Sequence, residues 1–149
     1  MLEILPLPDD EDVIYTVAKW NHDFWASSGS SLEGQITAYK SLLTSTDKTF
    51  ALVAYYDGIL VGTICLEKQG EVYLGAGLYV LKEYRKYKIG TALVEALKSH
   101  ADTLGVEKLY AWTPNLTRWY TQHGFKVIYE KVEHLGMLVD VLVTDLKGE

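Results

Sequence analysis

Between residues 12 and 24 the apolar positions Val13, Val17, Trp20 and Phe24 recur at helical spacing, directly behind the acidic run Asp9-Asp10-Glu11-Asp12. Carboxylates favour the positive end of a helix dipole, so the pattern predicts a first helix there. Ser30-Ser31-Leu32-Glu33 has the spacing of a capping box, in which the Ser30 side chain accepts from the third amide and Glu33 reaches back to the cap. A second helix is predicted from this box to about Leu43.

The periodicity then shifts to runs rich in β-branched and aromatic residues. Two of them, residues 50–56 and 59–66, flank Asp57-Gly58, a pair that tolerates the positive φ angles of a tight hairpin turn. A third strand is expected over residues 72–80, where Gly75 and Gly77 mark a bulge or a close backbone approach. From Ile89 the positions Ala92, Leu93, Ala96, Leu97, Ala101 and Leu104 return to helical spacing until Gly105, a natural stop. Residues 108–112 then read as a short strand, 116–123 as a short helix, and 125–132 and 138–145 as two closing strands.

With 149 residues, 48% hydrophobic and 23% charged, the chain is expected to form one domain over residues 1–149 with a substantial core. Its net charge of -6 argues against a surface built to attract nucleic acid or anionic lipid, so no nucleic-acid or membrane partner is expected and any anion site must be local. One cysteine, Cys65, cannot form an internal disulfide, and four scattered histidines give no zinc spacing, so no metal is expected. The N-terminal residues lack the basic start and apolar stretch of a signal peptide, and no apolar run approaches the roughly 20 residues that span a bilayer. A soluble, cytoplasmic protein is the expectation.

Against that acidic background, Lys82, Arg85, Lys86 and Lys88 fall within seven residues immediately before the helix that starts at Ile89. A helix start exposes unpaired amides and partial positive charge, so basic neighbours there make an anion site. No stretch supplies a Walker loop, and Gly75-Ala76-Gly77 is too short a match to a dinucleotide fingerprint and lies within a strand. The run Leu78-Tyr79-Val80-Leu81-Lys82-Glu83-Tyr84-Arg85-Lys86-Tyr87-Lys88-Ile89-Gly90-Thr91-Ala92-Leu93 resembles motif A of the GNAT N-acetyltransferases, a strand followed by a basic turn of the form R/Q-x-x-G-x-G/A and a helix. Arg85 and Gly90 match, whereas Lys88 stands where that family has glycine. Thr113-Pro114-Asn115, then Trp119-Tyr120 and Gly124-Phe125, resembles the family's motif B in the same order and at similar spacing.

This resemblance implies a mixed α/β fold with a central, mostly antiparallel sheet flanked by helices, and acetyl-CoA (coenzyme A) as the cofactor. It further implies that Leu78, Tyr79 and Val80 pair with the pantetheine arm as an added strand. Amides over Arg85, Lys86, Tyr87, Lys88, Ile89, Gly90 and Thr91 would hold the pyrophosphate, Lys86 or Lys88 would reach a more distant phosphate, and Asn115 would bond the cofactor. A strand amide near Val80 would steady the oxyanion, and Tyr120 is the expected acid for the departing thiolate. The implied activity is direct acetyl transfer to a primary amine, with a small amine and a peptide or protein amine both open as acceptors. A catalytically silent acyl-CoA-binding sensor is the alternative.

The general base stays open. Glu67 and Glu71 lie near the expected cleft but read as solvated strand-end carboxylates, and His123 and His134 need no catalytic explanation. Trp20, Phe24 and Trp25 are candidates for an acceptor wall, although such spacing more often marks core. Cys65, with no basic neighbour, is expected to be structural. The exposed closing strands are candidates for a homodimer contact.

Overall fold

The computed structural model describes residues 1–24, 31–134 and 136–146. Its elements run β1 (Leu2–Pro6), α1 (Glu11–Phe24), α2 (Leu32–Leu42), β2 (Phe50–Tyr56), β3 (Ile59–Gln69), β4 (Val72–Val80), a 3-10 helix (Lys82–Tyr87), α3 (Ile89–Thr103), β5 (Lys108–Thr113), α4 (Thr117–Thr121), β6 (Lys126–His134) and β7 (Met137–Asp145). The seven strands form a sheet in the order β1-β2-β3-β4-β5-β7-β6. Only β4 and β5 run parallel; the other neighbours are antiparallel.

The β2–β3 hairpin turns on Asp57 and Gly58, both at positive φ (51° and 83°), as a two-residue turn between right-twisted strands requires. Alternation along β3 then divides the core. Val61, Ile64 and Leu66 face α3, where Ile89, Leu93, Val94, Leu97 and Ala101 are buried against the sheet. Cys65 faces the other way and packs with Ile14, Val17 and Ala18 of α1 and Tyr39 of α2. Burial of each large apolar side chain in these layers contributes about 1.5–3 kcal/mol. Among the described residues no helix is long and apolar enough to cross a membrane.

Several boundaries differ from the sequence-based expectation. The cap of α2 is Ser31, whose hydroxyl accepts from the Gly34 amide at 2.9 Å, instead of Ser30 paired with Glu33; Ser30 itself lies outside the described residues. Two elements were not anticipated: β1, which pairs with β2 at the sheet edge, and the 3-10 helix that fills the basic run before α3. The helix at α4 is shorter than residues 116–123, ending at Thr121.

Candidate active site

The site begins where two parallel strands part. β4 and β5 are paired only through Tyr73–Leu109, Leu74–Tyr110 and Gly75–Ala111. Beyond that point β5 continues to Thr113 against β7, while among the described residues no strand pairs with residues 76–80 of β4 on their β5 side. An irregularity in the β3–β4 register sets the divergence: Thr63 and Cys65, two apart on β3, face Tyr79 and Ala76, three apart on β4. The extra residue is accommodated at Gly77, whose φ of 66° an L side chain rarely adopts. The resulting cleft is lined by Gly77, Leu78, Tyr79, Asn115, Leu116 and Tyr120, and Trp20 of α1 closes one wall by stacking on Tyr79 at 5.0 Å.

From this cleft a groove of about 650 Å³ runs to the start of α3, lined by Val80, Arg85, Lys88, Gly90, Thr91 and His123 among others. The helix has no side-chain cap and no acid in its first turn. Its intrahelical ladder begins with the Ala92 amide on the Lys88 carbonyl, so the amides before it are available to an anion. Arg85 does not hang free. Its Nε donates to the Val80 carbonyl at 2.8 Å and its guanidinium lies 5.6 Å from the Tyr79 ring, which ties the basic turn to the end of β4. At Gly90 a Cβ would come within 3.3 Å of Trp119, so glycine keeps the groove floor and α4 close together.

Lys88 takes the left-handed conformation (φ 60°, ψ 31°) that links the 3-10 helix to α3. The turn that favours glycine is therefore made here with lysine, at a cost of roughly 1–2 kcal/mol in backbone strain. Lys88→Gly relieves that strain but loosens the unfolded chain by a smaller amount. The variant is expected to gain about 0.5–1 kcal/mol in denaturant unfolding, and a loss of stability would show that the lysine side chain holds the turn.

On the opposite wall, the Thr113 hydroxyl accepts from the amides of Asn115 (3.3 Å) and Leu116 (2.8 Å), fixing the turn that opens α4. Tyr120 sits 6% exposed, edge-on to both Phe125 and Trp119, and still lines the cleft. Burial above all, with a smaller contribution from the nearby Cys65, pushes its hydroxyl up to about 12, so it is protonated throughout the neutral range. His123 Nδ1 donates to the Trp119 carbonyl at 2.7 Å, leaving Nε2 to meet the Thr91 hydroxyl at 2.9 Å, so the ring bridges α4 to α3. His134 packs edge-on to Trp112, and burial pulls its pKa down.

Of the residues singled out from sequence, Leu78, Tyr79, Val80, Arg85, Lys88, Gly90, Thr91, Asn115 and Tyr120 line one continuous cleft and groove. The side chains of three others point elsewhere. Lys86 lies over the Tyr87 ring, Tyr87 stacks on Tyr56 at 5.0 Å, and Ile89 is fully buried in the core. Trp20 and Phe24 flank the cleft, and Trp25 lies outside the described residues. Glu71 is exposed. Glu67 departs from the expected solvated carboxylate: it is half-buried beside Cys65 and Tyr39, and burial raises its pKa against the opposing effect of the Cys65 thiol bond. Tyr39, Asn21 and Gln35, which meet at the same place, carried no signal in the sequence beyond helical amphipathicity.

The model of the Acetyltransferase (GNAT) family matches residues 14–125. An amino-acid acetyltransferase of Actinobacillus pleuropneumoniae is 33% identical over 103 residues, which is 60% of this chain and 23% of that protein. N-alpha-acetyltransferase 60 of Xenopus tropicalis is 29% identical over 130 residues, 66% of this chain and 53% of its own. The chain thus spans about a quarter or less of the amino-acid acetyltransferases it resembles. Among solved structures, an aminoglycoside 6'-N-acetyltransferase complexed with coenzyme A superposes with a TM-score of 0.80 at 15% identity, covering 99% of this chain and 98% of that one. N-acetylglutamate synthase from Neisseria gonorrhoeae, complexed with coenzyme A and N-acetyl-glutamate, gives 0.77 at 18% identity over 99% and 36% of the two chains. With a family model covering most of the chain and a parting β4–β5 pair that leads to the cationic start of α3, this protein belongs to the GNAT acetyltransferase family.

Proposed function

We propose that the chain, acting as one domain, is an acetyl-CoA-dependent N-acetyltransferase that passes the acetyl group directly to a primary amine. The observation that supports this best is the unpaired edge of β4 over residues 76–80, leading from Tyr120 at one end to the uncapped start of α3 at the other. The residues present suit a pantetheine-diphosphate. Backbone donors and acceptors along the β4 edge, apart from the Val80 carbonyl that accepts from Arg85, match an extended amide-bearing arm, and the amides of Ile89, Gly90 and Thr91 with the charge of Lys88 match a diphosphate.

Acetyl-CoA supplies the thioester whose acyl carbon a neutral amine attacks. In this reading the β4 amides beyond Gly77 bond the acyl oxygen, Asn115 orients the arm from the opposite wall, and the Tyr120 hydroxyl holds the proton that the sulfur needs as the C–S bond breaks. A thiol ordinarily ionises near 8.5, well below the Tyr120 hydroxyl. Tyr120 therefore acts by a strong hydrogen bond to the sulfur as charge develops, and completes the transfer only to a sulfur whose basicity the buried cleft also raises. Cys65 carries no acetyl group in this scheme: its thiol is buried and burial holds its pKa well above the usual range, so the nucleophilic thiolate is absent. The apolar residues exposed on β6 and β7, Ile128, Tyr129, Val132 and Leu138, support a homodimer contact at the closing hairpin.

Binding is the first test. Coenzyme A at about 100 times its dissociation constant should stabilise the fold by about 2.7 kcal/mol, seen as a raised melting temperature, whereas a pantetheine fragment without phosphates should do much less. No shift at saturating coenzyme A would remove the premise. Release of free CoA with a panel of amines then separates an enzyme from an acyl-CoA-binding sensor, which binds and releases nothing.

A further inference from the structure

His123 follows the short helix α4, and three contacts fix its ring. Nδ1 lies 2.7 Å from the Trp119 carbonyl, and the Trp119 ring sits against the imidazole with centroids 4.1 Å apart. Nε2 lies 2.9 Å from the hydroxyl of Thr91, in the first turn of α3. Both Thr91 and His123 line the groove that leads to the start of that helix.

The protons along this short chain of atoms can be counted. A carbonyl oxygen only accepts, so Nδ1 carries a proton. With no second proton on the ring, Nε2 is an acceptor, and the Thr91 hydroxyl donates its single proton to it. Thr91 also belongs to the amide-bearing turn that suits a diphosphate, whose ionised oxygens accept and do not donate. The hydroxyl can give its proton to a phosphate oxygen or to His123, but not to both. If the phosphate takes it, a neutral Nε2 and the Thr91 oxygen face each other at 2.9 Å with two lone pairs and no hydrogen between them. A second proton on the ring removes the conflict by making Nε2 the donor.

The charges around the ring favour that second proton only when an anion is present. Lys88 and Arg85 share its groove, and Lys98 of α3 donates to the His123 carbonyl at 2.6 Å. Glu95, exposed on α3, is paired with Lys98 at 3.8 Å. Arg118 of α4 and Lys126 of β6 are exposed, and Asp140 of β7 accepts from Thr117 at the other end of α4. The cations in and beside the groove thus oppose an imidazolium in the free protein, and a bound diphosphate reverses the balance.

Resting on the transferase reading above, we propose that His123 takes up one proton from solvent when coenzyme A binds, and so acts as a positioning residue that turns the Thr91 hydroxyl toward the diphosphate. Cofactor affinity then depends on pH. It is level where the free imidazole is already charged, and it falls by up to about tenfold per pH unit once binding has to bring the proton in.

The main probe is dephospho-coenzyme A, because the 3'-phosphomonoester of coenzyme A itself titrates near pH 6 and would add a proton change of its own. Calorimetric titration at about pH 7.5, in buffers of different ionisation enthalpy, counts the protons taken up. Expected are about half to one proton per site and a Kd that rises about three- to tenfold between about pH 7 and pH 8. His123→Gln keeps N–H donors but cannot titrate, so its uptake should be near zero and its Kd flat with pH. Thr91→Ser, which keeps the hydroxyl, should retain the uptake, and Thr91→Val should lose it; this pair carries the test if His123→Gln does not fold. Binding of dephospho-coenzyme A without proton uptake by the unmodified protein overturns the proposal and leaves the transferase reading standing. So does an uptake that survives in His123→Gln or in Thr91→Val. Absence of binding by both dephospho-coenzyme A and coenzyme A brings down the transferase reading, and this proposal with it.

Discussion

Tyr120→Phe is expected to slow the single-turnover acetyl-transfer rate by about 100- to 10,000-fold, the usual worth of a positioned acid, while leaving coenzyme A binding and melting nearly unchanged. The substitution removes one hydroxyl and keeps the ring that meets Phe125 and Trp119 edge-on. Because that hydroxyl is pushed up to about 12, it remains a proton donor across the whole usable pH range, and its loss should lower the rate at every pH without moving an ionisation in the profile. The loss should appear in kcat and kcat/KM together, since the bond to sulfur forms as charge develops. Single turnover matters because product release can mask a slower chemical step. A structural tyrosine gives the opposite pattern, with lower melting and a near-normal rate, and an unchanged single-turnover rate would remove Tyr120 from the chemistry.

The elements legible in the sequence are those whose signal is local. The β2–β3 hairpin follows from Asp57-Gly58, α3 from apolar periodicity ended by Gly105, and the basic turn ahead of α3 from four cations within seven residues. Where a partner decides, the sequence is silent. β1 is five residues long with Pro6 at its end and is held by β2, some fifty positions away. The 3-10 helix at Lys82–Tyr87 buries none of its residues, so its charged composition reads as a loop.

Glu67 shows the same limit within the site. Strand alternation places its side chain on the α1–α2 side, but only the packing of α2 over that face turns a strand-end carboxylate into a half-buried one. Lys88 is the reverse case. Its mismatch to the family's glycine is plain in the sequence, yet the left-handed backbone it adopts shows that the chain keeps the turn and accepts the strain.

Gly77→Ala carries the second large effect, because this residue both makes the bulge of β4 and lines the transfer cleft. An alanine at φ 66° costs about 1–2 kcal/mol, offset by about 0.4–1 kcal/mol from the stiffer unfolded chain. The added methyl would lie 3.1 Å from the Tyr39 hydroxyl, so that side chain must give by a few tenths of an ångström. A net loss of about 1 kcal/mol follows, a fall of roughly 2–4 °C in melting temperature for a chain of this size. Turnover should suffer far more than stability. If β4 relaxes toward regular pairing, its amides beyond residue 77 move relative to Tyr120, and a shift of about 1 Å in such a site typically costs about 100-fold. The start of α3 is remote from the bulge, so the coenzyme A melting shift should largely persist. A variant measured well below its melting temperature, with wild-type turnover and only the small stability loss, would show that the bulge shapes the fold and does not position the reacting groups.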